Sequence, residues 1–224
     1  MNLLATVFFL AWVPSGPPTS LTTDEILERM IQADHDRLAA LAGYSGVRHY
    51  RFENKDFDKH AEMTVRMSCG GDGVKTFEVM AESGSKFVRN HIIRKMIEAE
   101  EESSQKGERK ESKIAPENYT FRLIGTEASD GRDSYVLEIT PKKPSKFAIC
   151  GRIWVDAEDF AIERVEGAPA KNPSFWIRRA RVVQLYGRNG QFWLPALNHS
   201  TAEARIFGPT ELVIEYSDYK TSSR

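Results

Sequence analysis

The chain has 224 residues, 41% of them hydrophobic and 10% aromatic, with a formal net charge of −1. That length and apolar content suit one folded domain with a sizeable core. The near-neutral balance excludes nucleic acid as a partner, because phosphate binding relies on a marked basic excess.

Leu3–Val13, LLATVFFLAWV, is almost wholly apolar and is followed by PSGPPTS. The run is too short to span about 30 Å of hydrocarbon as a helix. It matches the apolar centre of a secretory signal, with small residues near Ser15 and Gly16 for cleavage, although no Lys or Arg precedes Leu3. Residues 1–20 therefore read as a removable export signal and junction, with an uncleaved anchor as the alternative. Residues 21–220 read as a single domain and 221–224 as a tail.

Thr22 followed by Glu25 forms a capping box, and Ile26, Leu27, Met30, Ile31, Leu38 and Leu41 recur at helical spacing. The pattern predicts a helix over Thr22–Leu41 with Gly43 as its C-terminal cap. Val47–Glu53 reads as a first strand. His60–Cys69 alternates, with Ala61, Met63, Val65, Met67 and Cys69 on one face. Gly70–Gly73 turns the chain into Val74–Ala81, whose apolar face is expected to carry Phe77, Val79 and Ala81. A helix followed by a meander implies an antiparallel sheet.

Ser83–Ser85 then breaks the strand, and a second helix is expected over Lys86–Ala99, running into the acidic stretch Glu98–Glu102, read as an exposed helix end. SSQKGERKESK, residues 103–113, reads as a solvated loop. Beyond it the hairpin rhythm resumes through Tyr119–Gly125, Ser134–Thr140, Phe147–Val155, Ala161–Gly167, Ile177–Tyr186, Phe192–Phe207 and Leu212–Tyr219. Asn189-Gly190 is a strong two-residue turn, and Pro195 interrupts its strand. The total is about ten strands and two helices.

The chemistry-bearing motifs are missing from this pattern. The five histidines are scattered singly, the two cysteines form no CxxC, and neither GxSxG nor a phosphate-binding glycine loop is present. Asp156, Glu158 and Asp159 read as a solvated turn. No catalytic residue, metal ligand or cofactor is expected. Cys69 and Cys150 either pair in an oxidising compartment or remain as separate strand cysteines.

What the chain over-supplies is apolar strand face. Ten strands make a sheet about 48 Å wide if flat, so it must curl. Its concave side holds either a packed core or a cavity. The candidate lining is Met30, Met63, Val65, Met67, Phe77, Val79, Met96, Phe121, Leu123, Tyr135, Leu137, Ile149, Ile153 and Val155.

The order of helix, meander, helix and consecutive hairpins, with VDAEDFAI at 155–162, PENYTFRLIG at 116–125 and FWLP at 192–195, resembles the LolA-like family of outer-membrane lipoprotein-sorting proteins. The resemblance implies a mainly β (α+β) fold: an unclosed antiparallel half-barrel with two helices over its concave apolar face. It further implies a monomeric, non-enzymatic periplasmic carrier. Such a carrier shelters the acyl chains of a lipoprotein or lipid, with an inner-membrane exporter and an outer-membrane acceptor as partners. The alternative on the same scaffold is a periplasmic sensor of lipidated or misassembled envelope components, like the RseB/MucB proteins. No functional arginine of the family can be matched to a position here.

Overall fold

The computed structural model describes residues 21–106, 113–129, 131–172, 175, 177–205 and 208–224, so the apolar segment expected to direct export lies outside it. Helix α1 (Thr23–Ala40) leads into three strands, β1 (Leu41–Asn54), β2 (Lys59–Gly70) and β3 (Lys75–Gly84). A second helical rod follows: α2 (Lys86–Val88), one π-helical turn (Arg89–Ile93) and α3 (Arg94–Lys106). Seven strands complete the chain: β4 (Tyr119–Ser129), β5 (Arg132–Pro141), β6 (Ile149–Asp156), β7 (Ile162–Pro169), β8 (Ile177–Asn189), β9 (Phe192–Ala204) and β10 (Gly208–Ser223).

All ten strands form one antiparallel sheet in the order β3-β2-β1-β10-β9-β8-β7-β6-β5-β4. Nine hairpin-like neighbours would make a simple ribbon, but β1 pairs with β10 and so joins the chain's two ends inside the sheet. β3 and β4 remain as its two edges, so the sheet curls without closing. Thr221–Ser223, expected as a tail, belong to this pairing, opposite Leu41–Tyr44.

The capping box forms as expected: the Glu25 amide donates to Thr22 Oγ1, and the Glu25 carboxylate accepts from the Thr22 amide at 2.7 Å. Gly43 does not cap the helix. The chain turns straight from α1 into extended backbone at Leu41, and Gly43 sits in β1 opposite Gly70, where a Cβ would press on the Cys69 carbonyl. A bulge opposite Thr64 and Val65 also shifts the alternation of β3. Ala81 thereby pairs with Thr64 on the outer face, and Glu82 takes the inward place beside Met63.

In the second rod, Val88 and Ile93 are both buried although five residues apart, a spacing that puts two side chains on different faces of an α-helix. The π-turn, closed by the Arg94 amide on the Arg89 carbonyl, widens the rod by the residue needed to turn both inward.

The turn at 156–159 is built around a buried carboxylate. Asp156 is fully buried and accepts hydrogen bonds from Arg132 at 2.6 and 2.7 Å and from the Glu158 and Asp159 amides. Burial alone raises this carboxyl, but Arg132 and the two amides outweigh it and hold it below the ordinary range. Solvated-turn composition hid this, because Arg132 lies on the neighbouring hairpin. Trp154 is also buried; its indole N–H donates to Glu127 at 2.8 Å and the Arg164 guanidinium lies over its ring. Cys69 and Cys150 form no disulfide.

Between β6 and β7, Gly151 faces Gly167, and an added Cβ on either would fall inside contact distance of the partner strand's backbone. Gly167→Ala is expected to lower stability by about 1–3 kcal/mol, read as a drop in the urea midpoint. Gly187→Ala, whose Cβ would meet Ala196 at an ordinary 3.5 Å, serves as the control and should stay within about 0.5 kcal/mol of the parent. Equal midpoints for the two variants would show that the tight β6–β7 approach is relaxed in solution.

Candidate functional site

The two helices divide the concave face between them. α1 lays Ile26, Leu27 and Met30 on β4–β7, against Tyr119, Leu137, Ile139, Ile153, Val155 and Val165. The second rod lays Val88, Ile93 and Ile97 on β1, β2 and β10, against Tyr50, Phe52, Met63, Val65, Leu212 and Ile214. Each contact is a core of its own, built by the strand alternation on one side and a helical stripe on the other.

The expected lining residues distribute over these two cores. Met30 on α1 is buried against Leu137, Ile153 and Val155 of the sheet, with Phe121, Leu123, Tyr135 and Ile149 packed around them. Met63 and Val65 are buried under the second rod with Phe77 at their margin, and Met67 is buried on the same strand face. Two positions stand apart: Val79, on edge strand β3, is 37% exposed and Met96, on α3, is 40% exposed. Alternation sets the face of a residue, but only a neighbouring element decides whether that face is covered. Ile31 and Leu38 on α1 are exposed for the same reason.

Between the cores the floor changes character. Gln184 on β8 and Asn198 and Ser200 on β9 share the inward face, since Asn198 pairs with Ile214 and Ser200 with Leu212. They satisfy one another: the Asn198 amide donates to Gln184 Oε1 at 2.9 Å, and Ser200 donates to Asn198 Oδ1 at 2.8 Å. Further along β8 and β9, a groove of about 910 Å³ opens between α1 and the end of α3. Met30, Ile31, Ile114, Ile162, Tyr186 and Trp193 supply its apolar lining, with Asp34, Arg37, Lys75 and Lys113 at its rim. Trp193 is held by its indole N–H on Asp159 at 3.0 Å. Among the described residues, no three His, Cys, Asp or Glu side chains converge as a metal site does.

The strongest electrostatic feature escaped the sequence reading. Arg48, 4% exposed on the inward face of β1, donates to Glu100 on α3 at 2.7 and 3.1 Å and to the Tyr50 hydroxyl at 3.2 Å. Its guanidinium lies between the Phe77 and Tyr216 rings, 5.1 Å from each centroid. Lys75 adds a third member, its ammonium 2.7 Å from Glu100. Burial alone raises the Glu100 carboxyl, but the bonds from Arg48 and the charge of Lys75 prevail and hold it far below the ordinary carboxylate range. A second cluster ties the same rod to β3, where Arg89 and Arg94 both bind Glu82. The signal was present: Arg48 shares the strand parity of Tyr50 and Phe52, and Glu100 continues the stripe of Ile93 and Ile97.

Residues 112–219 match a family of unknown function, DUF5686. No curated protein matches the chain. Among solved structures it is similar to a DUF1329 family protein from Desulfovibrio piger, 13% identical over 89% of this chain and 92% of that one, with a TM-score of 0.43. It is also similar to a LolA superfamily protein from Nitrosomonas europaea, 15% identical over 91% and 94%, with a TM-score of 0.40. An outer-membrane lipoprotein-sorting protein domain from Vibrio parahaemolyticus is 12% identical over 88% and 92%, with a TM-score of 0.46. The open half-barrel itself stands on the strand pairing described above.

Glu100→Gln leaves the buried Arg48 and the half-buried Lys75 facing a neutral amide and is expected to cost about 3–5 kcal/mol at neutral pH. Because the folded-state carboxyl is depressed, the wild-type advantage is full above the ordinary value of 4.5 and fades as the pH falls below it. Urea midpoints of both proteins at pH 7 and pH 3 test this, and a gap that does not narrow in acid would refute it.

Proposed function

We propose that this protein is a non-enzymatic periplasmic carrier, which shelters the acyl chains of a lipoprotein or lipid against the concave face of its sheet for transfer toward the outer membrane. The observation that carries the reading is the division of that face. An open sheet bears two apolar halves, each covered by its own helix, with a groove of about 910 Å³ already open between them. That volume falls in the range of small-molecule sites, roughly 300–1,000 Å³.

The physics asks two things of such a carrier. It must keep from water a sixteen-carbon chain worth roughly 12 kcal/mol at about 0.8 kcal/mol per buried methylene. It must also release that chain without unfolding. Strand pairing runs continuously through the sheet, so a helix can lift from its half without breaking a ladder hydrogen bond. Chains then enter from the groove and lie on Leu137, Ile153 and Val155 under α1, or on Met63, Val65 and Phe77 under the second rod. The methionines Met30, Met63 and Met67 suit such a lining, being unbranched and adaptable.

Native mass spectrometry of protein purified from an exporting host, with lipid extraction, is expected to find bound acyl species. Ile31→Glu places a charge in the groove at a position 44% exposed, so the fold tolerates it while uptake of lipidated peptide falls at least five-fold. Absence of co-purified lipid together with no binding of lipidated peptide would count decisively against a carrier.

A further inference from the structure

The face of the sheet turned away from the helices holds a second concavity. It is a trough of about 1240 Å³ across β6–β10 and the end of β1. Its charges are sorted by strand. On β6 and β8 stand Arg152, Arg179 and Arg181; on β9, β10 and β1 stand Glu203, Glu211 and Glu53, with Lys55 the lone cation on that side. Glu166 lies among the arginines but is already held by Arg164 and Arg181. Arg152 and Arg179 have no ion-pair partner among the described residues. Across the divide, Glu203 has only Arg178 at 3.8 Å, whereas Glu211 is engaged by His199 at 2.6 Å.

The sign of the lining changes between two adjacent strands. Arg179 stands directly opposite Glu203, and neighbouring strands lie about 4.8 Å apart. A phosphate and an ammonium joined by a two-carbon linker fit that step. Arginine forks donate to phosphate oxygens in pairs, and a carboxylate accepts from the ammonium. The whole lining is balanced, with four cations and four carboxylates, so a plain anion gains at one side and is repelled at the other.

We propose that the outer trough binds a zwitterionic phosphate–ammonium group of the phosphoethanolamine class, with phosphate on Arg179 and Arg152 and ammonium on Glu203. The site lies on the opposite face of the sheet from the acyl groove, so it goes beyond the carrier reading and stands or falls separately from it.

Calorimetric titration with glycerophosphoethanolamine, which has no acyl chain, tests the site directly. Wild type is expected to bind it, and Arg179→Ala and Glu203→Gln, both at exposed or half-exposed positions, should each weaken binding about ten-fold. Glycerophosphoglycerol, which lacks the amine, should bind at least ten-fold more weakly than glycerophosphoethanolamine. Equal affinity for inorganic phosphate or glycerophosphoglycerol would overturn the zwitterion assignment, and no binding of any probe would overturn the site. Flotation with phosphatidylethanolamine vesicles separates the two sources of the group. Capture of wild type but not of Arg179→Ala supports a bilayer headgroup; binding of the soluble probe without capture supports a free ester. Headgroup binding by protein that takes up no lipidated peptide would leave this site standing and remove the carrier.

Discussion

The pairing of β1 with β10 makes one sheet out of two meanders. On one side β1, β2 and β3 follow by local turns; on the other, β4 through β10 do the same. Only the seam from Leu41↔Ser223 to Asn54↔Thr210 is non-local. Its closure entropy grows only slowly with the length of intervening chain, but it must be met before the contacts return anything, which makes this the slow step expected of the fold. The seam also builds the electrostatic centre. Arg48 on β1 lies directly opposite Tyr216 on β10, so the aromatic slot that receives the guanidinium exists only once the two ends of the chain have met.

The two helices are fastened by different physics. α1 rests on aliphatic burial, supplemented by polar contacts near its ends, such as the Arg37 guanidinium donating to the Asp159 carbonyl. The second rod adds a largely buried cluster, Glu100 with Arg48 and Lys75, and a more exposed one, Glu82 with Arg89 and Arg94. Aliphatic contact is non-directional and tolerates sliding, whereas a buried ion cluster has one good geometry and a steep cost for any other. α1 is therefore the helix whose seat is less tightly prescribed by direction, and the second rod is the one whose position its ion clusters specify.

Most of the fold was legible because most of it is local. Asn189-Gly190, Gly70–Gly73 and the Thr22 capping box each act within a few residues, and period-two alternation assigned the faces of β2, β4 and β5 correctly. What stayed hidden depends on partners far away in the chain. Glu100 looked like part of a solvated acidic helix end because Arg48 is fifty-two positions upstream. Asp156 looked like a turn residue because Arg132 belongs to the preceding hairpin. Ala81 and Glu82 exchanged faces through a bulge that leaves no mark in composition. The lining candidates show the same limit: Val65 and Val79 face the same way across paired strands, yet one is covered and the other is at the sheet's edge.

The π-turn at Arg89–Ile93 sets how this region can vary. Val88 and Ile93 both reach the sheet across five residues only because one turn is widened; across four residues an ordinary α-helical turn would do the same. Chain length between the two anchors can thus differ by one without rotating Ile97 or Glu100 away from their partners. The second rod carries a built-in allowance for the loss of a single residue, and it lies upstream of the Glu100 cluster, which could not survive a shift in phase.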